Sequence, residues 1–229
     1  DKYSQDIWDL DVLSKRIIAW ISNSKLTYEN SDINYRLHFN SLIKKQTNHL
    51  INEIKRSRKL DDKITGSTAI ILVGLSYGDN YYLRFGIDLL KHLLNFSLDA
   101  SNFPRSRNLR QLVFYLKYLI VVRELLKETQ TNIPDFLDET IFYLGKSYNL
   151  LCANKRRGML FNGNFEEFND EFDNYLNFHK YKFKDDTNEA GGYVVLKNKK
   201  TLLVVDVGKA PDKKFSKDYQ AGLFSFEFN

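Results

Sequence analysis

With 229 residues, of which 43% are hydrophobic and 14% aromatic, the chain can bury a core and is not a disordered polar segment. Its 34 basic and 29 acidic residues leave a net charge of +5, a mild excess that permits an acidic partner without demanding one. One cysteine excludes an internal disulfide framework, and Cys152, in the apolar run NLLCAN, reads as a small core residue. The longest apolar run, QLVFYLKYLIVV, contains Lys117 and falls short of the ~20 residues that a spanning helix needs, so a soluble chain is expected. The chain opens on Asp1-Lys2-Tyr3 and stops inside a strand-like run, FSFEFN, so both ends read as cut from a longer protein.

From Ile7 to about Asn154 the periodicity is helical. Between Tyr35 and Ile54, the residues Tyr35, Phe39, Leu42, Ile43, Gln46, Leu50 and Ile54 recur at three- and four-residue steps and form one stripe. At ~100° per residue, Asn48 points almost opposite that stripe and His49 lies on its flank, which places neither in a core. Further helices are expected at about 64–75, 79–97, 108–129 and 134–151; the last begins at Pro134, with Asp135, Asp138 and Glu139 in its opening turns. Helix after helix with short turns predicts stacked antiparallel helix pairs.

The pattern changes near residue 158. GMLFNGNFEEFNDEF reads as a turn followed by one short amphipathic helix carrying Phe165, Phe168 and Phe172. FHKYKFK, at 178–184, interleaves basic and aromatic residues, either as a weak nucleic-acid run or as an edge strand with a solvated basic face. GGYVVLKNKKTLLVVDVG reads as a β-hairpin turning at Asn198-Lys199-Lys200. GLFSFEF alternates Leu223, Ser225 and Glu227 against Phe224, Phe226 and Phe228, a strand with one polar and one apolar face. The expected class is mainly α with a C-terminal β portion, divided into a helical domain (1–157), a connecting turn and short helix (158–179), and the start of a sheet domain (180–229). Three strands rarely stand alone in water, so the sheet is expected to continue past Asn229.

Two stretches carry candidate chemistry. The loop LDASNFPRSRNLRQ gathers Arg105, Arg107 and Arg110 around Pro104 just before a helix start; guanidinium groups there suit a carboxylate or sulfate, or form an ordinary basic turn. Gln46-Thr47-Asn48-His49 sets an amide beside an imidazole on a helix face, as a substrate-handling pair or as surface decoration. There is no Gly-rich phosphate loop and no Gly-x-Ser-x-Gly elbow, and His38, His49, His92 and His179 are isolated, without metal-ligand spacing.

Taken in order, QTNHLINE, DASNFPRSRN, LFNGN, GGYVVL, VVDVG and AGLFSFEF resemble the heparinase II/III family of polysaccharide lyases, in its divergent alphaproteobacterial form. The resemblance implies an incomplete α/α toroid of helix pairs followed by the first strands of an antiparallel β-sandwich, with an acidic polysaccharide between them. It implies β-elimination at a uronate, with Asn48 and His49 as carboxylate- and proton-handling residues and Gln46, Arg105 and Arg107 contacting substrate. It implies no cofactor within this segment, although a zinc ion belongs to the complete family fold, and it points to the periplasm or cell envelope. Two family features are replaced. Leu109 and Arg110 stand where better-known members carry Tyr-His, leaving Tyr115 or Tyr118 as substitutes or as core residues, and Asp218 and Gln220 stand where many carry His-x-His. The rival expectations are a non-catalytic acidic-glycan-binding or envelope protein on the same scaffold, and a helical module that binds a protein. No nucleic acid and no membrane span are expected.

Overall fold

The computed structural model describes residues 5–153, 159, 161–162, 170–184, 187–198, 201–217, 219 and 225–228. The chain forms two compact units, one of residues 1–94 and 121–133, the other of residues 95–120 and 134–229.

The first unit is helical. It holds α1 (Gln5–Trp8), α2 (Leu10–Ser22), α3 (Ser24–Thr27), α4 (Ile33–Arg56), α5 (Leu60–Tyr77), most of α6 (Asn80–Ser97) and the end of α7 (Leu109–Glu128). Leu13 and Ile17 of α2, Ile43, Leu50 and Ile54 of α4, and Ala69, Ile70 and Val73 of α5 close into one core. Fully burying each large aliphatic side chain is worth about 1.5–3 kcal/mol, so this contact decides which face of each helix turns inward. Side-chain caps mark the starts: Asp9 Oδ1 accepts from the Asp11 amide at 3.1 Å, and Asp32 Oδ1 accepts from the Tyr35 amide at 2.9 Å.

The buried stretch of α5 runs from Ile64 to Gly74. Its hydroxyls are satisfied within the helix, Ser67 and Thr68 both donating to the Ile64 carbonyl. This helix begins four residues before the expected 64: Asp61 and Asp62 suit the positive end of the helix dipole in its first turn, and Leu60 stands one helical step before Ile64.

In the second unit, α8 (Asp135–Leu151) starts after Pro134 and ends at the buried Cys152. The helix α9 (Asp170–Phe178) carries Phe172; Phe165 and Phe168 lie outside the described residues. Four strands, β1 (Glu189–Ala190), β2 (Tyr193–Lys197), β3 (Leu202–Asp206) and β4 (Phe226–Phe228), form an antiparallel sheet in sequence order. The expected hairpin is present, with Lys197 opposite Leu202 and the Thr201 amide donating to Asn198 Oδ1 at 2.8 Å.

Tyr193 and Val195 of β2 and Val204 and Asp206 of β3 share the buried face of the sheet. The strand β4 is present, but its apolar residues face outward: Phe226 and Phe228 are 70% and 65% exposed, while Glu227 pairs with the buried Val204. Residues 181–184 form no strand, contrary to the edge-strand reading of FHKYKFK. Phe183 instead packs against Gly145 of α8, where a β-carbon would collide with its ring.

Candidate functional site

The helix α4 presents Gln46, Asn48 and His49 to three different surroundings. Asn48 is exposed, as its position opposite the apolar stripe predicts. Its amide is nonetheless held, because Tyr82 Oη donates to Asn48 Oδ1 at 2.8 Å. The chain delivers Tyr82 there through a tight corner. Gly78 ends α5 in the left-handed conformation (φ 63°), and Asp79 Oδ1 then accepts from the amides of Tyr81 and Tyr82, capping α6. At Gly74 the two helices touch backbone to backbone; a β-carbon there would stand 2.5 Å from the Leu83 nitrogen. Tyr82 is 6% exposed and belongs to the core, while its neighbour Tyr81 is 63% exposed, with the two ring centres 5.6 Å apart. Burial, then the nearby Asp79 charge, raises the Tyr82 pKa above the ordinary tyrosine value, so the hydroxyl keeps its proton and remains a donor.

His49 is half-buried and meets Trp8 edge to face, with ring centres 5.0 Å apart. Its Nε2 is enclosed and has no hydrogen-bond partner among the described residues. The Arg16 guanidinium lies over the Trp8 ring at 5.3 Å, and Arg16 Nε donates to Gln46 Oε1 at 3.0 Å. Gln46 is therefore a buried acceptor joining α4 to α2, in keeping with its place in the apolar stripe. Thr47 is wholly buried, with its hydroxyl on the Ile43 carbonyl.

Arg105 and Arg107 belong to the second unit. Their loop is shaped by Asp99, whose Oδ1 accepts from the amides of Ser101 and Phe103, and by a bridge between Leu98 and Pro104. Arg105 is exposed, with Nε on the Leu98 carbonyl at 2.7 Å. Arg107 turns the other way, its backbone left-handed at φ 57°. Its guanidinium donates to the carbonyls of Gly191, Gly192 and Lys209 and to Asp206 Oδ1 at 2.5 Å. It also lies 4.7 Å from the centre of the Tyr193 ring, and Tyr193 Oη donates back to the Arg107 carbonyl at 2.8 Å. Asp206, at 0% exposure, makes this a buried ion pair that fastens the loop to the sheet. The donors of Arg107 are thus used inside the protein, while those of Arg105 reach the surface.

Leu109 and Tyr115 are wholly buried, so Tyr115 is a core residue; Tyr118 is half-buried. Among the described residues no three His, Cys, Asp or Glu side chains come together to hold a metal. Asp218 and Gln220 lie outside the described residues. A cavity of about 210 Å³ lies beside α8 and α9, lined by Tyr148, Asn149, Asp173, Asn177 and Lys182 among others; Lys182 comes from the FHKYKFK run, while Gln46, Asn48, His49, Arg105 and Arg107 do not line it. No helix among the described residues is long and apolar enough to cross a membrane.

Sequence reasoning missed Tyr82 and Asp206. The one local signal for Tyr82 was the Gly78-Asp79 helix junction, which puts the tyrosine in a first turn; Asp206 stood in VVDVG as a carboxylate within a β-branched run, but nothing local named its partner.

No known family's sequence profile matches the chain, and no curated protein matches it in sequence. Solved structures do match. A heparinase III superposes with a TM-score of 0.73 over 96% of this chain at 13% identity, and a second heparinase III, with methylated lysines, with a TM-score of 0.80 over 98% at 14% identity. This chain corresponds to 41% and 39% of those two chains. It therefore has a heparinase III-like fold, mainly helical with a C-terminal antiparallel sheet, and spans about two fifths of the length of the structures it resembles.

Proposed function

We propose that the chain is part of a polysaccharide lyase of the heparinase II/III type, acting on a uronate-containing glycan by β-elimination in the periplasm or cell envelope. The observation that carries this reading is the fold likeness to heparinase III over nearly the whole chain. The exposed amide on α4 supports it. In this reading Asn48 donates a hydrogen bond to the glycan carboxylate and withdraws charge from it, so the carbon bearing the carboxylate becomes acidic. His49 takes the proton from that carbon. The electron pair forms a double bond to the neighbouring carbon, whose bond to the glycosidic oxygen breaks, and the departing oxygen takes up a proton from water. Arg105, with its exposed guanidinium, is the anionic-substrate anchor of the loop. Arg107 and Gln46 hold the loop and α4 in place, since their polar groups are engaged within the protein. No step of this reading runs through a metal.

The test is ultraviolet absorbance from unsaturated uronate products on a panel of acidic polysaccharides, using the full-length protein. A rise with one glycan that disappears in Asn48→Ala and His49→Ala is the expected result. A folded protein that binds one of these glycans and yields no rise with any would be a binding scaffold instead of a lyase.

A further inference from the structure

The helix α4 carries four asparagines, and two of them, Asn40 and Asn48, eight residues apart, are held by tyrosine hydroxyls in different ways. Asn40 is engaged at both ends: Tyr77 Oη donates to its Oδ1 at 3.0 Å, and its Nδ2 donates to Tyr28 Oη at 3.1 Å. Asn48 is engaged at one end only. Tyr82 Oη donates to its Oδ1, and its Nδ2 makes no hydrogen bond to the described residues. A side-chain amide whose oxygen is held as an acceptor turns its two N–H donors to the opposite side, and N–H donors are what a carboxylate needs.

We propose that Tyr82 is a positioning residue: its hydroxyl holds the Asn48 amide with Nδ2 turned outward, ready to receive the carboxylate of an acidic sugar. This rests on the carboxylate-binding reading of Asn48. Tyr82 suits the task because it does not move with the surface. Its ring is in the core of the first unit, its amide is capped by Asp79, and the contact at Gly74 fixes the turn it stands on. An asparagine on an exposed helix face would otherwise sample several rotamers and both amide orientations, and that freedom would have to be lost on binding. The tyrosine removes it in advance.

The experiment is calorimetric binding by the full-length protein of glucuronate, galacturonate and mannuronate tetrasaccharides, each beside its carboxyl-reduced counterpart, for wild type, Tyr82→Phe, Asn48→Ala and the double variant. Tyr82→Phe removes one oxygen and leaves the core ring, and unchanged thermal melting checks that it folds. The expected result is about a five- to tenfold loss of affinity for the uronate form in Tyr82→Phe, the net worth of one hydrogen bond, with no change for the reduced form. The double variant should bind no more weakly than Asn48→Ala, because the tyrosine acts through the asparagine. A loss in Asn48→Ala with none in Tyr82→Phe would overturn the positioning role and leave the carboxylate reading intact. Equal losses for uronate and reduced sugars in Tyr82→Phe would also overturn it, since they would mark a general structural effect. An Asn48→Ala protein that binds like wild type, or a wild type that does not prefer the uronate form, would remove the carboxylate reading and the positioning role together.

Discussion

Replacing Arg107 with methionine should loosen the second unit far more than an ordinary loop substitution. The guanidinium is the cation facing Asp206, whose side chain is completely buried, so its removal leaves a buried carboxylate without its counter-charge. Breaking one side of such a pair costs about 3–5 kcal/mol. The carbonyls of Gly191, Gly192 and Lys209 lose a donor in the same step, which keeps the expected cost toward the upper part of that range. Methionine retains apolar contact with the Tyr193 ring and offsets only a little of this. Tryptophan fluorescence is the wrong probe, because Trp8 and Trp20 both belong to the first unit. Native-state hydrogen exchange of the β2 and β3 amides reads the right part of the molecule. Adding Asp206→Asn removes the stranded charge and keeps an acceptor for the Gly208 amide, so the double variant should recover at least half of the lost protection. A loss below about 1 kcal/mol in the single variant, or no recovery in the double, would refute the idea that this pair ties the loop to the sheet.

Gly74→Ala tests the close contact of α5 and α6. Alanine gains about 1 kcal/mol in helix propensity, but its β-carbon would lie 2.5 Å from the Leu83 nitrogen, and displacing backbone costs about 1–3 kcal/mol, so the net effect on the thermal midpoint should be a decrease. An increase would mean that the helices separate easily. Alkaline stability offers a second check. Burial, as the largest cause, pushes the hydroxyls of Tyr193 and Tyr148 well above the ordinary tyrosine value, and in Tyr148 the hydrogen bond to Asp173 adds to it. Both groups are protonated when folded and ionise more readily when unfolded. Their stabilisation is therefore complete below about pH 10 and is lost as pH rises beyond it toward their folded values. Denaturant midpoints should fall from pH 10 upward, less steeply in Tyr148→Phe, and a flat profile across that window would contradict the burial argument.

The parts of this protein that local chemistry controls were legible in the sequence. Three- and four-residue apolar spacing set out α4 and placed Asn48 away from its core, a proline with acidic neighbours marked α8, and two β-branched runs around Asn198 marked the hairpin. Periodicity also put Gln46 in the buried stripe, where it is found joined to Arg16. The outward face of β4 was not legible, because alternation tells which residues share a face but not which face finds a partner. The same limit applies to the arginine loop. Arg105 and Arg107 are equivalent as letters; a left-handed backbone at Arg107 sends one guanidinium inward to Asp206, 99 residues away, and leaves the other at the surface. Asn48 and Tyr82, 34 residues apart, meet only because α5 is packed closely enough for the chain to turn back at Gly78. Period and propensity act over a few residues, whereas the direction in which a polar side chain is held depends on which distant group can approach it, and that is decided when the helices and strands pack.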